Sequence, residues 1–155
     1  MNVVVVYGTQ FGTTHKLART IGAALEPEHS VRVLDAREAS DLAAAGVDLL
    51  FVGAPTQMHG LRLLVRPFLD GLAEHGFAGV PAAAFDTRME GPKERTGAQS
   101  DVIASHLQRA GCRLVAPPES FVVAEFQGPL ADGEDARATA WARSVVERLV
   151  APAEG

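Results

Sequence analysis

The sequence predicts a doubly wound α/β domain, and three observations predict it. Strand-like apolar runs alternate with helix-like patterns from end to end. The runs are apolar on successive residues, as strands covered by helices on both faces must be. A chain of 155 residues with 47% hydrophobic content suffices for one compact core and is short for two.

The first strand is Asn2 to Tyr7, where four successive valines favour an extended backbone. Leu17, Ile21 and Leu25 then fall on one helical face. Val31 to Asp35 is the second strand, and Asp41 to Gly46, short and alanine-rich, reads as a weak second helix. Leu49 to Ala54 is the third strand, followed by a helical face of Val65, Phe68, Leu69 and Leu72. Val80 to Asp86 is the fourth; after it Ile103, Leu107 and Ala110 share a face, with Gly111 as the residue that ends the helix. A last extended stretch, Arg113 to Val123, precedes a helix carrying Ala138, Trp141, Ala142, Val145 and Leu149, with Asp132 as its N-cap and Asp135 three residues on. The expectation is a single domain over 1–150 and a loose tail over 151–155.

The charge of −5, from 19 acidic and 14 basic residues spread along the chain, leaves no basic run able to neutralise several phosphates, so nucleic acid is not an expected partner. Cys112 is the single cysteine and reads as a buried apolar filler. With no signal peptide and no apolar span of about 18 residues, the expectation is a soluble cytoplasmic protein without a membrane partner.

In such sheets ligands bind beyond the carboxyl ends of the strands, where strand order reverses. The loops that matter are therefore Gly8 to Thr14, Ala54 to Leu61 and Phe85 to Gly97. The first leads into a helix N-terminus, whose free N–H groups and positive dipole end suit an anion. Thr9, Thr13 and Thr14 add hydroxyl donors and Gly12 lets the backbone come close; the same residues also suffice merely to make the turn and cap the helix. Rival motifs fail on particular residues. Gly12-Thr13-Thr14 lacks the lysine of a Walker loop, and the turn has two glycines where a dinucleotide fingerprint needs three. The third strand ends in Gly53-Ala54-Pro55, not the phosphoacceptor aspartate of a response-regulator receiver.

With these loops in place the chain resembles the flavodoxin family. That family's phosphate loop reads hydroxyl residue, any, threonine, glycine, any, threonine, and here it is Thr9-Gln10-Phe11-Gly12-Thr13-Thr14. Phe11 replaces the usual threonine, as in the flavodoxin-like domains of flavo-diiron proteins. The stretch "VGAPTQMHGL" is similar to the Gly-Ser-Pro-Thr loop of those domains. The resemblance implies a five-stranded parallel sheet of order 2-1-3-4-5 and FMN as cofactor. It implies that Thr9, Gln10, Gly12, Thr13 and Thr14 hold the phosphate, with Phe11 also at the cofactor. Pro55, Thr56, Gln57, Met58, His59 and Gly60 would lie along the isoalloxazine, with Gly60 as the peptide that turns over. Asp86, Thr87, Arg88, Met89 and Gly91 would reach its pyrimidine end. Arg88 is either a charge that favours an anionic reduced flavin or a surface arginine paired with Glu90.

The second and third loops offer no tyrosine or tryptophan to clamp the ring; Tyr7 and Trp141 are expected in the core. The implied function is electron transfer between a reductase and an acceptor protein. The alternatives are a small FMN-dependent quinone-type reductase, and a flavodoxin-like binding module that has lost FMN.

Overall fold

The protein is described by a computed structural model over residues 1–56 and 64–151. Among these residues the strands β1 (Asn2–Tyr7), β2 (Ser30–Asp35), β3 (Leu49–Pro55), β4 (Pro81–Met89), β5 (Arg113–Leu114) and β6 (Glu119–Val123) form one parallel sheet. Its order is β2-β1-β3-β4-β5, with β6 also on β4. Order therefore reverses between β1 and β3, which pair from Val3↔Leu49 to Tyr7↔Gly53. The helices are α1 (Thr13–Leu25), α2 (Arg66–Asp70), α3 (Lys93–Thr96), α4 (Gln99–Arg109) and α5 (Glu134–Val150).

Successive residues of a strand face opposite sides of the sheet, so each central strand feeds two cores. Val3 and Val5 join Leu17, Ile21, Phe51, Phe85 and Val145 under α1 and α5. Val4 and Val6 join Leu50, Val52, Leu69, Ile103 and Leu107 under α2 and α4. Trp141 meets the rings of Phe51, Phe85 and Phe121 edge-on, at centroid distances of 5.6, 6.1 and 5.7 Å. It and the buried Tyr7 are core residues, as expected from the sequence. Cys112 is buried and donates its thiol to the Phe77 carbonyl at 3.5 Å; burial pushes its pKa up.

The expected fifth strand is divided. Arg113 and Leu114 pair with Pro81 and Ala82, and the ladder resumes only at Phe85↔Glu119, running to Met89↔Val123. Pro117 and Pro118 lie in the gap, where a residue without an N–H cannot continue a ladder. Pairing with β6 also prolongs β4 to Met89, so Arg88 and Met89, expected in a loop, are strand residues.

Two other expectations are corrected. Asp41 to Gly46 is not helical; the helical turn between β2 and β3 is a 3-10 turn at Ala36–Glu38, capped by the Asp35 carboxylate on Arg37 N–H at 2.9 Å. Leu42 and Ala44 pack against the core, and the Ala44 N–H bonds to the distant His75 carbonyl at 3.0 Å instead of to a helical partner. The last helix is entered through Gly133, at φ 85°, which leaves Asp132 outside the cap position. Instead Glu134 accepts the Val122 N–H at 2.8 Å and pairs with Arg137, which also bonds Glu119 and the Ser120 carbonyl and lies over the Phe121 ring. That cluster fastens α5 to β6. Gly111, at φ 91°, follows α4 as expected.

Gly53 faces Phe85 across the β3–β4 ladder, and a Cβ there would overlap the buried Phe85 ring. Gly53→Ala is expected to destabilise the fold by about 1–3 kcal/mol through overpacking, read as a lower urea midpoint at unchanged slope.

Candidate functional site

A cleft opens at the carboxyl edge of the sheet, beside the β1–β3 reversal. It is lined by Thr9, Gln10, Phe11, Thr13, Thr14, Pro55, Thr56, Thr87, Arg88, Met89, Val123, Phe126 and Gln127. The structure thus brings together residues that the sequence placed in three separate loops, and adds a fourth loop, between β6 and α5. Gln57, Met58, His59 and Gly60 lie outside the described residues.

The first loop is shaped by internal bonds. The Thr9 hydroxyl accepts the Gly12 N–H at 2.9 Å, and Gly12 then adopts φ 90°, a left-handed conformation that turns the chain into α1. Lys16 N–H is the first to bond back, to the Gly12 carbonyl at 3.1 Å. Among the described residues nothing accepts the N–H groups of Thr13, Thr14 and His15; the helix has no side-chain cap and no acid in its first turn. Its positive end is open. At the floor, Thr14 and Thr87 share a hydroxyl–hydroxyl bond of 3.0 Å; either can donate, which leaves the other's proton free. Thr9 likewise keeps its own proton after accepting from Gly12. Thr13 does not, since its hydroxyl donates to the Gln127 carbonyl at 3.2 Å.

The second helix N-terminus at this edge is closed. Asp86 is fully buried, and its Oδ2 accepts the Ser100 N–H of α4 at 2.8 Å and the Thr56 hydroxyl at 3.1 Å. Thr56 in turn accepts the Gln99 N–H at 2.8 Å. Strand alternation explains the division: Thr87 faces α1, and Asp86, one residue earlier, faces α4. Asp86 therefore does not line the cleft, against the expectation that it reaches the ligand. Gly91 does not line it either; its carbonyl accepts from Arg88 Nη1 at 2.7 Å.

Arg88 is not the surface arginine paired with Glu90 that was one of its two expected roles. Its Nη1 donates to Gly91 O and, at 3.2 Å, to the Thr96 hydroxyl, so it braces the loop from β4 to α3. Among the described residues it makes no ion pair, with Glu90 or any other carboxylate. A cation with only neutral partners thus borders the cleft.

Val123, Phe126 and Gln127 were not legible as site residues. The available signal was Phe126 itself: a phenylalanine between glutamate and glutamine, just before Gly128-Pro129 and outside any apolar period. It is 55% exposed and meets the 45% exposed Phe11 edge-on at 5.5 Å. Among the described residues no group of acids, histidines or cysteines has the makings of a metal site, and no helix is long and apolar enough to cross a membrane.

No protein-family model matches the sequence, and no curated protein matches it. Solved structures do match the fold. Oxidised flavodoxin 1 from Bacillus cereus superimposes with a TM-score of 0.78 at 18% identity, over 95% of this chain and 98% of that one. A flavodoxin from the domain Archaea gives 0.72 at 20% identity, over 96% and 99%. Rubredoxin oxygen:oxidoreductase from the anaerobe Desulfovibrio gigas gives 0.68 at 21% identity, over 97% of this chain but 37% of that one. The chain has the flavodoxin-like fold, with strand order 2-1-3-4-5 as the sequence resemblance implied.

Burial pushes the Asp86 carboxyl above the usual carboxylate range, against the pull of its bonds to Ser100 and Thr56. The folded protein then binds more protons than the unfolded chain between the ordinary aspartate value of 3.8 and that raised value, so stability falls as pH rises through this window. Asp86→Asn keeps an oxygen for both donors and is expected to lie within about 1 kcal/mol of the parent while abolishing this fall. Asp86→Ala strands both donors and is expected to cost about 2–5 kcal/mol. Urea unfolding across pH 4–8, on the order of half-unit steps, checks both.

Proposed function

We propose that the protein binds FMN in this cleft and carries electrons between a reductase and an acceptor protein, in a cytoplasmic setting. The observation that carries the reading is the open N-terminus of α1. Of the two longer helices that begin at the cleft, α4 is capped by buried Asp86, while α1 presents three N–H groups without acceptors among the described residues. The donors beside it are the free protons of Thr9 and of the Thr14–Thr87 pair.

These residues suit a phosphate monoester dianion: donors dominate, and no carboxylate lines the cleft among the described residues. Arg88, with neutral partners only, adds positive potential at the other end, where an anionic ring would be favoured. Pro55, Thr56 and Met89 would give the ring an apolar and polarizable border. When bound, FMN supplies the redox chemistry, taking up one or two electrons; the chain supplies binding, orientation and field. The similar fold of two flavodoxins supports the reading without establishing it. The partner proteins would meet the exposed rim that Phe11, Met89 and Phe126 form around the cleft.

The test is reconstitution of the purified chain with FMN and with riboflavin, followed by flavin fluorescence quenching and the visible spectrum. FMN is expected to bind at least tens of times more tightly, because riboflavin lacks the phosphate. Thr9→Ala removes a donor to charge and loosens Gly12; at about 1.5–3 kcal/mol, FMN affinity is expected to fall by about 10–100-fold. Equal affinity for the two flavins would refute the phosphate assignment.

A further inference from the structure

Phe11 and Phe126 expose about half of their surface, 45% and 55%, yet both border the cleft and touch each other. Phe126 comes from a loop with a stiff stem. Ala124 N–H bonds to Pro129 O at 2.8 Å, Ala131 N–H to Val122 O at 2.9 Å, and Gly128 N–H to Glu125 O at 2.9 Å; Val123 and Leu130 form an antiparallel bridge. The tip thus projects as a preformed hairpin onto the phosphate loop. It makes three contacts there: Phe126 on Phe11, Gln127 O accepting from the Thr13 hydroxyl, and Gly128 seated against Thr13 so closely that a Cβ would overlap the hydroxyl.

We propose that this hairpin tip is a clasp: Phe126, with Phe11, closes the phosphate end of the cleft over a bound flavin mononucleotide and governs its release. The proposal rests on the FMN reading and adds to it a binding determinant from the β6–α5 loop. The physical argument is one of cost and position. Two half-exposed phenyl rings are held edge-on beside the open end of α1, where a ligand's ribityl chain and phosphate would cover apolar surface now in contact with water. The clasp is fixed at its stem and tied at its tip by one neutral hydrogen bond, one ring contact and the packing of Gly128 on Thr13, so it opens without disturbing the sheet. Contacts that must break for a ligand to leave act mainly on its dissociation rate.

The experiment uses the full chain loaded with FMN, with release followed in stopped flow by recovery of flavin fluorescence. Phe126→Ala is expected to speed release about 10–100-fold, with the association rate changed by less than about threefold and the thermal midpoint of the flavin-free protein unchanged. Phe126→Leu, which keeps an apolar side chain, is expected to recover part of the slow release. Gly128→Ala, which keeps both phenyl side chains but forces the tip, and Phe126 with it, off the first loop, is expected to speed release as well. Adding Phe11→Ala to Phe126→Ala should contribute little more, because the two rings act as one unit. Release from Phe126→Ala and Gly128→Ala at the parental rate would overturn the clasp and leave the FMN reading standing. A parent that binds no FMN would overturn both.

Discussion

At the carboxyl edge of the sheet one buried carboxylate joins three elements. Asp86, on β4, accepts from the first turn of α4 and from Thr56 at the end of β3, while Thr56 accepts from α4 in turn. Removing a carboxylate from water is costly, and here the helix dipole and two hydrogen bonds offset part of that cost. The consequence reaches beyond stability. With α4 capped by a carboxyl group from within the protein, the remaining long helix at the cleft, α1, is the one left to receive an anion from outside. One capped and one open N-terminus, side by side, give the cleft its polarity.

Behind that edge the aromatic residues are spent on the core. Trp141 is enclosed by Phe51, Phe85 and Phe121, and Gly53 is a glycine because the Phe85 ring lies against it. The scaffold under the cleft is therefore closely packed, and rearrangement there is expensive. The aromatic surface that borders the cleft comes from loops: Phe11 before α1 and Phe126 before α5. Rigid floor and looped rim are produced by the same rule, since strand residues are fixed by two neighbouring ladders and loop residues by a few bonds at the stem.

The net charge of −5 gives little guide to the local field. Around the cleft the governing groups are the dipole of α1, hydroxyl protons left over after internal bonding, and Arg88 held by the Gly91 carbonyl and Thr96 hydroxyl. Because these partners are neutral, they orient the guanidinium without cancelling its charge.

The sequence by itself determined the fold class, the strand order through a resemblance, and the first loop, because periodicity and a helix-start turn are local patterns carried by adjacent residues. The tertiary structure decided what depends on distant partners. Ending the fourth strand at Asp86 hid the alternation that sends Thr87 to Thr14 and Asp86 to Ser100, since the ladders to β3 and β6, not local propensity, carry the strand on. Asp41 to Gly46 had helical composition, but the Ala44 N–H is taken by the distant His75 carbonyl. Phe126 lay 115 residues from Phe11 and carried no period of its own; only the β6–α5 hairpin brings the two rings to 5.5 Å. A contact made by chain reversal leaves no local pattern to read, and at this cleft such contacts set which side chains a ligand would meet.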